Sequence, residues 1–271
     1  MITLGAVAYD AKVVPIWDGF QARFRQEGID FDYVLYTTYE RQVRALLRGE
    51  IDLAWHSPLA WLQTEAAARR LGRTARAVAM RDTDRDLTSV IVVRADAPWR
   101  ELRDLDGRRV GAGAADSPQA TLLPLDLLAE HGVRPEVVRH DVLLGKHGDH
   151  IGGERDAARA LMRGEVDAAC VLDANLLAFA ADSTLPAGSV RVLGRTERYD
   201  HCCFCTLDDT DVEPVVRSLL AMSWDDPAVR GLMDMEGLKA WVPGRTSGYL
   251  PLARACERFG TLETSLGAVG A

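Results

Sequence analysis

Two hydrophobic rhythms alternate along this chain. Short apolar runs stand near 2–8 (ITLGAVA), 31–36 (FDYVLY), 51–56 (IDLAWH), 76–80 (RAVAM) and 88–94 (TSVIVVR). Their length and β-branched content predict strands. Between them, near 13–27, 38–48 and 58–70, apolar positions recur at helical spacing, which predicts helices with one buried face. The same alternation continues with strands near 108–113, 137–143, 167–172 and 190–196, and helices near 118–131, 154–164 and 174–182. Three more helices are predicted near 211–223, 226–236 and 248–260. Strands that alternate with helices of 10 to 15 residues are the mark of an α/β chain built from βαβ units on mainly parallel sheets.

An internal echo divides the chain. ALLRGEIDLAW at 45–55 returns as ALMRGEVDAAC at 160–170. Each copy is a helix end with Arg in its last turn, a Gly stop, an acidic residue and a short strand opened by Asp. Two such units argue for two similar lobes. ADAPWRELRD at 95–104 reads as a crossing, and LPAGS at 185–189 precedes the return. The expected organisation is lobe 1 from 1–94 plus 195–271, with lobe 2 inserted at 95–194.

Composition narrows the function. With a formal net charge of -8 and mixed signs along the chain, no basic face is expected, which argues against nucleic acid and against a membrane surface as partner. No run of about 18 apolar residues occurs, so no membrane insertion is expected. The N-terminus enters a strand at once, and the five cysteines do not resemble a disulfide framework. As written, the chain is expected in the cytoplasm, with a transporter partner only if a leader has been removed. A homodimer stays open.

LGAVAYDAKVVPIWDGFQARFRQ, LLRGEIDLAWHSPLAWL, LDGRRVGAGAADSPQATLLPLDLLAEHGV and LMRGEVDAACVLD together resemble the phosphonate-binding branch of the type 2 periplasmic binding proteins. The resemblance runs over most of residues 2–200. It implies a two-lobe clamshell that takes a small polar or anionic ligand between its lobes, against helix starts and strand ends. Four segments fall there. The first is AYDAK, where Tyr9, Asp10 and Lys12 follow the first strand; Asp10 also reads as a helix cap. In AWHSPLAW, His56 and Ser57 precede a helix with Pro58 at its first position; Ser57 reads equally as an N-cap, and His56 as a pocket or a structural histidine. In GAADSPQATLLP, the resemblance implies that Ser117, Gln119 and Thr121 grip phosphonate oxygens, with the Asp116 carboxylate beside them. The fourth, LLGKHGDHIGGE, sets Lys146, His147, Asp149 and His150 among glycines, as a ligand loop, part of a metal site, or a solvated loop.

RYDHCCFCTLDD at 198–209 holds three cysteines in four positions. As a strand it puts His201, Cys203 and Cys205 on one face and Cys202 with Phe204 on the other. HCCFCT is similar to the CCCFC run of the fungal pyrimidine synthases of thiamin biosynthesis, and that resemblance implies iron, pyridoxal phosphate and a consumed active-site histidine. Two functions therefore stand. One is a binding protein without chemistry of its own. The other is a cytoplasmic metal-dependent enzyme with His56, Lys146 and Cys203 as catalytic candidates and His147, His150, His201, Cys202, Cys203 and Cys205 as metal ligands. Thiolates and imidazoles suit iron, zinc or copper rather than magnesium. A buried strand of small apolar residues is the third reading of the cysteines.

Overall fold

The structure is a computed structural model that describes residues 1–141 and 150–262, with side chains in the second stretch from Gly153 onward. Among the described residues two compact units emerge: Met1–Arg85 and Asp200–Leu250 with residues 260–262 form the first, and the described part of Asp86–Tyr199 with Pro251–Phe259 the second.

The first unit is built on a six-stranded sheet. Its strands are β1 (Ile2–Val7), β2 (Phe31–Tyr36), β3 (Leu53–His56), β4 (Ala75–Arg81), β10 (Cys203–Leu207) and β11 (Trp241–Pro243), in the order β11-β4-β10-β3-β1-β2. β1, β2 and β3 are parallel, and β10 runs antiparallel between β3 and β4. Helices α1 (Val13–Gln26), α2 (Tyr39–Leu47), α3 (Pro58–Arg70), α7 (Glu213–Ala221) and α8 (Pro227–Glu236) belong to this unit. Its core gathers Phe20, Phe24 and Trp17 of α1 with Leu4, Phe31, Leu53, Trp55, Phe204 and Trp241. Phe204 lies at the middle of an aromatic group, 4.8 Å from Trp55, 5.2 Å from Trp241 and 6.0 Å from Trp17 between ring centroids. These are favourable edge and tilted spacings.

The second unit carries β5 (Ser89–Arg94), β6 (Arg109–Ala112), β7 (Glu136–Arg139), β8 (Ala168–Leu172) and β9 (Val190–Arg195), in the order β7-β6-β8-β5-β9. α4 (Leu123–Glu130), α5 (His150–Arg163), α6 (Asn175–Ala181) and α9 (Leu250–Phe259, from Pro251 onward) complete it. β5 pairs antiparallel with β8 and β9, so residues 88–94 build the second sheet, where the sequence reading put them in lobe 1. The run SVIVV is buried on both faces, and an apolar strand of that kind carries no mark of which sheet it joins.

The sequence echo is a structural one. Gly49 and Gly164 both adopt left-handed backbone, φ +70° and +73°, and close α2 and α5 in the same way: Glu50 N–H donates to Ala45 O at 2.9 Å and Glu165 N–H to Ala160 O at 2.9 Å. The following aspartates then grip a neighbouring strand. Asp52 N–H donates to Thr3 O at 2.9 Å and its Oδ2 accepts from Thr3 N at 2.8 Å. Asp167 N–H donates to Arg109 O at 2.7 Å and its Oδ2 accepts from Arg109 N at 3.0 Å. Each lobe thus starts its central parallel pairing with the same two-bond clamp.

Candidate ligand site and cysteine cluster

In the first unit the parallel strands β1, β3 and β4 end on one edge of the sheet, where β10 begins. Chain segments leaving that edge carry Tyr9–Lys12, Ser57, Arg81–Asp84 and His201–Cys202. Asp10 Oδ1 accepts from Lys12 N at 2.8 Å, a tight turn that sets the entry to α1. Lys12 is exposed and places its ammonium 5.9 Å from the Tyr9 ring centre. The Tyr9 hydroxyl is held above the usual tyrosine range by burial first, then by Glu236 and Cys202.

Arg81 organises this edge. Its Nε and Nη2 donate to Asp84 Oδ2 and Oδ1 at 2.6 and 2.8 Å, and Nη1 donates to the Glu236 carbonyl at 2.8 Å and to Glu236 Oε1 at 3.3 Å. The guanidinium also lies 5.3 Å from the Trp55 ring centre. Burial pushes the Asp84 carboxyl up, but the Arg81 fork outweighs it and holds the group at about 2. Glu236 shows the opposite balance: burial outweighs Arg81 and raises its carboxyl to about 7. Arg81, Asp84 and Glu236 were not singled out in the sequence. RDTDR reads as a solvated charged loop, and the available signal was an Arg closing an apolar strand with Asp three residues later.

His56 is a core histidine. It is wholly buried, with Nδ1 3.1 Å from Gln42 Oε1 and Nε2 2.8 Å from Thr64 Oγ1. Gln42 Nε2 donates to Gly5 O and Trp55 O at 2.7 and 3.0 Å, which makes Oε1 the acceptor and fixes the tautomer with the proton on Nδ1. Burial lowers the imidazole to about 3. The pocket and catalytic expectations for His56 are corrected accordingly, since both nitrogens are occupied in the core. Ser57 Oγ accepts from Ala60 N at 3.3 Å and caps α3.

The cysteine run divides as the strand period requires. Cys202 and Phe204 face the aromatic core. Cys203 and Cys205 lie on the other face of β10, Cys203 in register with His56 and Cys205 with Ala54. Both are buried, and burial pushes both thiols up, Cys203 to about 12. Burial pushes the Cys202 thiol up in the same way, and a thiol held protonated is a poor nucleophile. The catalytic expectation for Cys203 meets that obstacle, and the metal expectations for Cys203 and Cys205 meet a positional one, since β10 sends them to the face opposite Cys202. His201 and Cys202 precede the strand and come together with Asp84: His201 Nδ1 is 3.2 Å from Cys202 Sγ and 3.6 Å from Asp84 Oδ1. Lys146, His147 and Asp149 lie outside the described residues, as does the side chain of His150.

In the second unit β6 and β8 end beside a distinctive helix start. Ser117 Oγ accepts from Ala120 N at 3.2 Å, which caps the turn and leaves the Ser117 hydroxyl proton for another acceptor. Residues 118–122 form one π turn, with Leu122 N–H donating to Ser117 O at 3.0 Å. Pro124 lacks the N–H that would reach Ala120 O, and Gly113 N–H takes that carbonyl instead, at 3.1 Å. Thr121 Oγ1 donates to Ala114 O at 2.8 Å, so its proton is committed to the backbone. Gln119 and Asp116 are buried in the same turn. The backbone is tightly drawn here: a Cβ on Gly113 would meet Ala120 Cβ at 2.8 Å, and one on Gly153 would meet His140 O at 2.7 Å. Gly153 in the first turn of α5 is thereby packed against Gly113 and Ala114, which lead into the π turn. Nearby on the same edge, Ser89 Oγ and Tyr199 Oη are 2.7 Å apart, and Glu154 Oε2 accepts from Leu172 N and Asn175 Nδ2 at 2.8 and 3.0 Å.

Residues 6–249 match the family described as "ABC transporter, phosphonate, periplasmic substrate-binding protein". The chain belongs to that family. No curated protein sequence matches it. Among solved structures, PhnD1 from Prochlorococcus marinus in complex with methylphosphonate is similar at 16% identity and TM-score 0.69, over 96% of this chain and 98% of that one. XAC2383 from Xanthomonas citri bound to ATP gives 17% and 0.66, over 99% and 97%. A binding protein component of an ABC phosphonate transporter from Pseudomonas aeruginosa gives 13% and 0.63, over 98% and 88%. At these identities the structures show the fold, which is the two-lobe architecture of the type 2 periplasmic binding proteins. The family membership makes the chain a small-molecule binding protein in preference to an enzyme. The HCCFCT resemblance to thiamin-pyrimidine synthases gains no support from these matches.

Proposed function

We propose that this protein binds a small oxyanion of the phosphonate class and delivers it to an ABC transporter, and that it works in the periplasm in place of the cytoplasm expected from the bare sequence. The family's description supports the transport role and the compartment. The observation that carries the ligand class is the Ser117 helix start, where a capped turn keeps a hydroxyl donor in reserve beside Gln119 and where the start of α5 is packed close by. Helix starts and hydroxyl donors of this kind are matched to tetrahedral oxyanions. In the first unit Tyr9 and Lys12 offer a hydroxyl and an ammonium at the strand edge, and Lys146 is the further cation proposed from sequence.

The experiment is a calorimetric titration of the purified protein with methylphosphonate, phosphate, ethanesulfonate and ATP, repeated with Ser117→Gly. Saturable binding of a phosphonate that weakens at least tenfold in the variant agrees with the proposal. Binding that is unchanged in Ser117→Gly removes the helix start from the ligand site.

A further inference from the structure

The three atoms that meet at the start of β10 form a set that nothing in the binding function uses. His201 Nδ1 stands 3.2 Å from Cys202 Sγ and 3.6 Å from Asp84 Oδ1, and all three donor atoms lie within 4.8 Å of one another. Donors held about 2.0–2.3 Å from a tetrahedral ion are separated from one another by roughly 3.3–3.8 Å. The His201 distances are therefore close to the edges of such a polyhedron before any ion is added.

The frame that carries the three donors is rigid. His201 N–H donates to Asp84 O at 2.8 Å and Tyr249 Oη donates to His201 O at 2.8 Å, so the two chain segments are tied through backbone atoms as well as through the donors themselves. Arg81 occupies one lone pair on each Asp84 oxygen, and a carboxylate oxygen has a second. Such a hydrogen bond to a ligating carboxylate is the usual outer support of a metal site. Asp84 is buried, Cys202 nearly so, and His201 keeps a fifth of its side chain in solvent, which supplies an entry path and room for a further ligand.

We propose that Asp84, His201 and Cys202 form a binding site for a single zinc-class transition-metal ion, with one coordination position left to solvent. One sulfur, one imidazole nitrogen and one carboxylate oxygen are a borderline donor set that suits Zn²⁺ and its spectroscopic substitute Co²⁺ and not Mg²⁺ or Ca²⁺. Three protein ligands plus an open position is the pattern of a reactive or ligand-exchanging site, where a structural zinc would have four. Cys203 and Cys205 take no part, because the strand sends them to the opposite face.

The test uses the full chain, produced without a histidine tag and freed of metal with a chelator, and titrates it with CoCl₂ and then ZnCl₂. The expected result is one Co²⁺ per chain, with near-ultraviolet sulfur-to-cobalt charge transfer and tetrahedral bands in the visible that Zn²⁺ abolishes. Cys202→Ser should remove the charge-transfer band, and His201→Gln should weaken Co²⁺ binding by roughly 100-fold or more, while Cys203→Ser should behave as the parent. Octahedral-type weak bands without charge transfer, or a Co²⁺ spectrum that survives in Cys202→Ser, would overturn the site. If Cys202→Ser fails to fold by circular dichroism, the partly exposed His201→Gln decides alone: unchanged affinity there also overturns it. Phosphonate binding is read separately by calorimetry, so failure of one reading does not mimic failure of the other.

Discussion

The Nδ1 of His56 lies 3.1 Å from Oε1 of Gln42 inside a fully buried pocket. Gln42 spends its amide group on Gly5 O of β1 and on Trp55 O of β3, so one side chain from α2 holds two strands and one imidazole. Gln42→Ala strands two carbonyls and an imidazole N–H in the core. An unsatisfied buried group costs about 1–3 kcal/mol, and the variant is expected to lose several kcal/mol in urea denaturation while keeping its ligand affinity. A large loss of affinity at unchanged stability would return His56 to the binding site.

The same histidine sets a pH dependence. Burial holds it neutral down to about pH 3, against an ordinary value near 6.5. The unfolded chain takes up a proton between these limits that the folded chain refuses. The His56 contribution to stability is therefore complete above pH 6.5 and is lost as pH falls toward 3, at no more than about 1.4 kcal/mol per unit. His56→Gln should flatten that part of the stability curve, measured by urea midpoints from pH 7 to pH 4.

The paired clamps at Asp52 and Asp167 should behave alike. Each carboxylate accepts a backbone N–H from its neighbouring strand, a charge-assisted bond worth about 1.5–3 kcal/mol when broken. Asp52→Ala and Asp167→Ala are each expected to destabilise by about that amount. They sit in different sheets, so the double variant should be additive. Strong non-additivity would show that the two copies are coupled.

Legibility in the sequence followed the physics of each signal. Strand and helix positions were readable because amphipathic spacing, Gly stops and Pro starts are local, and the ALLRGEID echo located two equivalent units. The sheet that β5 joins was not readable, because SVIVV is apolar on both faces. His56 looked functional because a histidine ending a strand stands where ligands bind in this fold, and only three dimensions bring Gln42 and Thr64 to it. Arg81, Asp84 and Glu236 were missed because Glu236 approaches from 155 residues away. The parity of CCFC was legible and separated Cys202 from Cys203 and Cys205, whereas His201, which precedes the strand, meets Cys202 and not the face of Cys203 and Cys205 it was expected to share.

Phe204 should be the most sensitive position of β10. Its ring is buried among Trp17, Trp55 and Trp241, and Phe204→Ala removes that packing at a cost of about 3–5 kcal/mol. Cys205→Ala deletes a single buried sulfur and should cost far less, near 1 kcal/mol. Equal losses in thermal or urea unfolding would mean that the cysteine face matters as much as the aromatic one.

Capping and ligand contact can be separated at Ser117. Glycine at an N-cap costs only a few tenths of a kcal/mol, so Ser117→Gly should leave the unfolding midpoint nearly unchanged while removing the hydroxyl donor. Titration of the parent and this variant with methylphosphonate by calorimetry is the most direct test of the central claim. Saturable binding of one ligand per chain by the parent, weakened at least tenfold in Ser117→Gly at matched stability, is the predicted result. No binding of methylphosphonate, phosphate or ethanesulfonate by a folded parent would contradict an oxyanion-binding function.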